Sequence, residues 1–317
     1  MPRFTTVAGL DMIISLKNSA RSKAFVVFVF GYTCNAQQTS LFPEYNYNPF
    51  ILNPAYTGMA DGAEATISNY GYVNGIEGSP KTLAFSFHSP IARDKMGIGG
   101  AVLHDKIGVT TSTKAFVAFS YKIFFDLESD RPYWQIYDQN VLSFGITAGV
   151  QQYSEDLLDL GIHNDPEFDE NINANIPAMG IGVLYNRANF YLGFSAPNIL
   201  GDRFASRDDL ELNNPFYGYF GYRFFTSRTE DIMIKPSTLL KYEKGAPMQI
   251  DANIAVNFKN KFEIGTGYRS SNSISFLGGI YALDHLKLVY YYNIGLKNAL
   301  LGNSHGILIS YSFNKKD

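Results

Sequence analysis

The chain has 317 residues, with 26 Lys and Arg against 29 Asp and Glu and a net charge of −3. It carries no basic stripe, which excludes nucleic acid as a partner. Cys34 is the only cysteine, so neither a disulfide framework nor a thiolate metal site can form. Aromatic residues make up 15% of the chain, with 22 Tyr and 25 Phe but one Trp, an enrichment that suits interfacial girdles.

Residues 1–36 read as a signal peptide. Arg21 and Lys23 form its basic region, Ala24–Tyr32 its apolar region, and Cys34-Asn35-Ala36 a small-residue cleavage site. Nine apolar residues are too few for a membrane anchor, which needs about 20. The signal begins late, so Met12 competes with Met1 as the start. Cys34 is a weak lipidation acceptor, because Thr33 stands where that motif wants a small residue. Residues 37–62 carry Pro43, Pro49 and Pro54 among many Asn and Tyr. Proline removes ladder donors, so this stretch is irregular and lies on the periplasmic side or plugs a lumen.

Residues 63–317 read as strands. The first candidate, Ala63–Tyr72, is poorly patterned. The second, Thr82–His88, sets Leu83, Phe85 and Phe87 against Ala84, Ser86 and His88, and the third, Met96–His104, is glycine-rich. The fourth is Lys114–Ile123 and the fifth Val141–Tyr153. Then follow Ala178–Tyr185, Phe190–Ser195, Phe216–Phe224 and Ile232–Tyr242. The clearest pattern closes the chain: Met248, Ile250, Ala252, Ile254, Val256 and Phe258 alternate with Gln249, Asp251, Asn253 and Asn257. Four similar segments run to Phe313. A period of two places oil on one face and water on the other. Nine to eleven residues, roughly, is the length that crosses a bilayer when tilted. The sum is an all-β, antiparallel, up-and-down transmembrane barrel of about 14 strands, a multi-pass protein of the outer membrane. A soluble β-sandwich would not need two-faced alternation over such lengths.

With a periplasmic start, Asn186–Asn189, Lys259–Lys261 and Ala282–His285 are short periplasmic turns. Asp105–Ser112, Ser154–Ile176, Ala196–Pro215 and Gly295–Gly306 are external loops. Asp126–Asn140 is a long connection on the periplasmic side that this scheme does not explain. The same register turns Lys114, Lys122, Arg223, Lys235, Lys241, Arg269 and Lys287 into the lumen, with Glu64, Asp251 and Glu263 as counter-charges. On the lipid face each Lys or Arg would cost roughly 2–4 kcal/mol.

Ser154–Ile176 contains Glu155, Asp156, Asp159, Asp165, Glu167, Asp169 and Glu170 and no Lys or Arg. A calcium site needs carboxylates at alternating positions with a glycine turn, and that order is absent. The loop reads as solvated, with an acidic surface for a basic partner as the sharper alternative. The five histidines lack metal-site spacing, and His88 alone is placed in the lumen. There is no Gly-x-Ser-x-Gly turn. No catalytic residue, metal or cofactor is assigned.

Asn48-Pro49-Phe50-Ile51-Leu52-Asn53-Pro54-Ala55-Tyr56-Thr57-Gly58 resembles the N-terminal signature of the PorP/SprF family of type IX secretion system membrane proteins. The similarity continues through Ser79-Pro80-Lys81-Thr82, Ser86–Pro90, Asp105-Lys106-Ile107-Gly108, Ala196-Pro197-Asn198, Lys235-Pro236-Ser237, Lys244–Pro247 and Gly267-Tyr268-Arg269. The resemblance implies a non-enzymatic outer-membrane barrel of the type IX export and gliding-motility apparatus. It implies partners too: an exported, adhesin-like surface protein held through its C-terminal secretion domain, and other subunits of the machine. On the family motif, Asn53, Pro54, Ala55, Tyr56, Gly58, Asp105, Lys106 and Gly108 are the candidate partner-binding positions. A pore for small, anionic solutes is the alternative, motivated by the lumen cations.

Overall fold

The computed structural model describes residues 43–72, 78–125, 140–162, 168–200, 214–226, 231–271, 273–282, 285–296 and 302–313. The signal-peptide reading, with Met12 and Cys34, lies outside them, as does most of Asp126–Asn140. So do His163, Asp165 and Glu167.

The strands are β1 (Ala63–Tyr72), β2 (Lys81–Ile91), β3 (Met96–Ile107), β4 (Thr110–Phe124), β5 (Val141–Glu155), β6 (Ile172–Asn186), β7 (Phe190–Ala196), β8 (Phe216–Tyr222), β9 (Phe224–Phe225), β10 (Ile232–Tyr242), β11 (Gln249–Phe258), β12 (Phe262–Arg269), β13 (Ser273–Ala282), β14 (Leu286–Gly295) and β15 (Ser304–Phe313). Each pairs antiparallel with the next along the chain except β8 with β9, and β15 pairs with β1 from Ala63↔Phe313 to Tyr72↔Ser304. The sheet thereby closes on itself and leaves no edge. β8 and β9 make one stave of the barrel, interrupted at Arg223 and both paired with β10. The unpaired step, Tyr222 and Arg223, falls opposite Pro236 and Lys235, and Pro236 has no N–H to donate. The barrel therefore has 14 staves.

Alternation sets the two faces. Leu83, Phe85 and Phe87 are exposed on the outside while Ala84, Ser86 and His88 are buried inside, and the same phase holds for Phe144 and Ile146 against Ser143 and Thr147. Without water in a bilayer core, a sheet satisfies every backbone group only as such a closed ladder. Aromatic side chains gather on the outer face near the N-terminal end of β1, where Phe87 meets Phe313 edge-on and Phe313 meets Tyr311.

The observed strands outrun the sequence-predicted ones on one side. β3 reaches Ile107 and β4 starts at Thr110, so Asp105–Ser112 is not a loop but a hairpin closed around Gly108 and Val109. β5 and β6 pair as far as Glu155↔Ile172, which shortens the Ser154–Ile176 loop at both ends. The missed residues have polar outer faces (Thr111, Thr113, Ser154, Asn173, Asn175), so the apolar beat that marks a membrane strand stops before the strand does.

Candidate functional site

The inward charges singled out by the sequence converge on the lumen. Three short 3-10 turns, Pro43–Asn46, Pro49–Ile51 and Pro54–Tyr56, lie against the inner wall. Proline suits the start of such a turn, since its missing N–H is unused there. Asn53 caps the last turn: its side chain accepts from the Ala55 amide at 2.8 Å. The Asn53 amide also donates outward to the Val183 carbonyl at 3.0 Å and the Tyr219 hydroxyl at 2.9 Å. Carbonyls that these short turns leave open are taken by the wall, as buried backbone acceptors require. Ser143 donates to Ala55 O at 2.6 Å and Ser120 to Thr57 O at 2.7 Å, while Lys122 Nζ donates to Gly58 O. His88 Nδ1 accepts from the Gly58 amide at 3.3 Å, and its Nε2 lies 3.9 Å from Glu64.

Apolar contacts follow the same circumference. Phe50 packs with Ala84, Ala101, Leu103, Phe116 and Ala118. Leu52, Ala55 and Met59 pack with Val141, Leu184, Tyr219 and Leu239. Tyr47 reaches the opposite side to Val289, Tyr291 and Leu308, meeting the Tyr291 ring edge-on at 5.7 Å. The segment thus touches wall strands all around the barrel. At Gly145 the wall comes so near that a Cβ would overlap Pro54 and Ala55 backbone atoms; at Gly182 it would overlap the Asn53 side chain.

Inward-facing charges are paired, as burial demands. Glu263, 1% exposed, accepts from Lys235 (2.7 Å), Tyr281 (2.8 Å), Asn257 (3.0 Å) and Tyr47. Burial, then the charge of Glu263, pushes the Tyr47 phenol well above its usual range, so it stays protonated and donates. Arg269 grips Asp251 with Nε 3.0 Å from both carboxylate oxygens and Nη2 2.8 Å from one. Lys241 pairs with Glu243 at 2.9 Å. Lys287 lies 3.4 Å from Glu64 and donates to Tyr47 O at 3.2 Å. Arg223 donates to the carbonyls of Arg187 (2.8 Å) and Ala188 (3.3 Å) and covers the Tyr191 ring. A cavity of about 80 Å³ remains between the crossing segment and the wall, lined among others by Tyr47, Tyr191, Tyr219 and Lys235.

A second stretch enters from the other end. After β7 the chain folds inward, and Lys114 donates to Pro197 O at 2.9 Å. A Cβ on Gly180 would overlap that carbonyl. Asn198 steadies the bend by accepting from the Leu200 amide at 3.2 Å.

The sequence matches the family model of the type IX secretion system membrane protein PorP/SprF over residues 34–311. The chain belongs to this family. No curated protein matches it. Among solved structures, it is similar to the Ralstonia pickettii toluene transporter TbuX, at 7% identity and a TM-score of 0.49 over 83% of this chain and 92% of that one. It is also similar to the P. putida toluene transporter TodX, at 11% and 0.46 over 84% and 94%. With the Acinetobacter baumannii outer membrane protein Omp33 the values are 10% and 0.43 over 81% and 100%.

The PorP/SprF chain is an outer-membrane β-barrel of the type IX secretion system, and its motifs fall in two places. Asn53, Pro54, Ala55, Tyr56 and Gly58 sit in the segment that crosses the lumen, with Asn53 and Ala55 fully buried. Lys235, Arg269 and the Ala196-Pro197-Asn198 bend bind the inside as well. Asp105, Lys106 and Gly108 stand at the far end of β3, about 26 Å along the strand from where Gly97 meets Thr57, at roughly 3.3 Å per residue. There Asp105 accepts from Thr82 Oγ1 at 2.6 Å and the Gly108 amide donates to Gly78 O at 2.7 Å. The two groups of family-motif residues are not brought together. Sequence reasoning missed Glu243, Ser120, Ser143 and Tyr219. It missed Gly145 and Gly182 too, although a glycine at an inward position of a strand is itself a mark of close backbone approach.

Proposed function

We propose that this barrel is a non-enzymatic anchor of the type IX export and gliding apparatus, holding an exported, adhesin-like protein at the surface through that protein's C-terminal secretion domain. Membership of the PorP/SprF family over residues 34–311 carries this reading. The lumen supports it: the segment Pro43–Met59 is bonded to the wall around the circumference, which suits a rigid platform more than a conduit. In this reading Asn53, Pro54, Ala55, Tyr56 and Gly58 act by fixing that segment. Asp105, Lys106 and Gly108 are then left as the motif positions within a partner's reach. Other subunits of the machine meet the end of the barrel where the chain enters.

A pore for small anions is the second reading, motivated by the inward cations Lys114, Lys122, Arg223, Lys235, Lys241, Arg269 and Lys287. In cells that make this protein, deleting it should abolish surface display of an exported protein while other outer-membrane barrels keep their abundance. Unchanged display of every exported protein would refute the anchor.

A further inference from the structure

The outer face of β2–β6 can be read in rows. Phe85, Val102, Ala115, Val150 and Pro177 form one row by strand register, and it is apolar. The next row is Leu83, His104, Thr113, Gln152 and Asn175, and the one beyond is Lys81, Lys106, Thr111, Ser154 and Asn173. From β3 to β6 these two rows are polar. The sheet therefore continues past the lipid band for four residues, about 13 Å along the strands at roughly 3.3 Å each.

Hydrogen bonds tie the hairpin tips there into one ridge. Gly108 donates to Gly78 O at 2.7 Å, Asp156 donates to Val109 O at 3.1 Å, and Asn171 bridges to Asp156 and the Leu158 amide, both at 3.1 Å. Beyond the polar rows the ridge presents oil again: Leu158 is 57% exposed, Leu160 46% and Ile162 43%. Nothing in folding the barrel uses these side chains, and they stand too far beyond the apolar band to enter the bilayer. Between them lie Asp156 and Asp159, and no Lys or Arg occurs from Ser154 to Ile176. A phosphate-bearing lipid surface is repelled by that charge. A polypeptide with cationic and apolar residues is attracted by it.

We propose that this ridge docks a Lys- or Arg-bearing, apolar segment of the exported polypeptide, which rests on the anchor reading above. The test places a photoreactive benzoylphenylalanine at Leu158 of the full chain in producing cells and maps the adduct. Expected is a crosslink to an exported protein at a segment of net positive charge. The adduct should fall at least fivefold with Asp156→Lys and Asp159→Lys together, and likewise with Leu160→Asp alone, while the heat-dependent gel shift of the barrel is kept. Adducts with lipid only, adducts with a second copy of the barrel only, no adduct, or an adduct insensitive to both variants would overturn the ridge. Each of these leaves the anchor standing if deletion still abolishes display. Display that survives deletion refutes the anchor itself.

Discussion

Glu263 joins the crossing segment to the wall, since Tyr47 and Lys235 both end on its carboxylate. Replacing it with Gln leaves the Lys235 ammonium without its counter-charge, and breaking one side of a buried pair costs about 3–5 kcal/mol. We expect Glu263→Gln to lower the urea midpoint of the folded barrel accordingly. Adding Lys235→Met should recover part of the loss, because it removes the stranded charge. Burial of Lys235 and Glu263 follows from the period-two count, as these residues fall out of phase with the lipid-facing apolar set. What ties them together did not follow: Tyr47 lies 216 positions from Glu263, and no local pattern encodes so distant a partner. The same holds for His88, whose ring nitrogens answer Gly58 and Glu64 and so occupy a structural place.

At the scale of elements, apolar alternation locates strands only where lipid touches them. β10 (Ile232–Tyr242) and β1 (Ala63–Tyr72) match the sequence reading residue for residue. β4 and β6 were legible only up to the edge of the lipid band, because above it both faces meet water or polar contacts and the beat disappears. The prolines of the segment before β1 marked it as irregular, but how it lies against the wall depends on glycines whose inward position signals a close approach without naming what approaches. Gly145→Ala is expected to displace Ala55 and Pro54, with an overpacking cost of about 1–3 kcal/mol read as a lower unfolding temperature. Gly278→Ala serves as the control, since nothing lies within 4 Å of its Cβ position, and it should leave that temperature unchanged.

For the molecule as a whole, a closed 14-stave wall with an apolar exterior needs a lipid bilayer, and the PorP/SprF match places that bilayer in the outer membrane. The wall and its filling depend on each other: the inward cations would repel one another and face an open channel without the carboxylates and carbonyls that meet them. The outcome expected of the anchor reading is a barrel that presents surfaces and transmits little. Ion conductance in planar bilayers tests this most directly, comparing the full protein with a variant lacking Pro43–Met59. The intact protein should stay silent and the deletion should open stable, anion-preferring steps; stable steps of equal size from both would contradict the account.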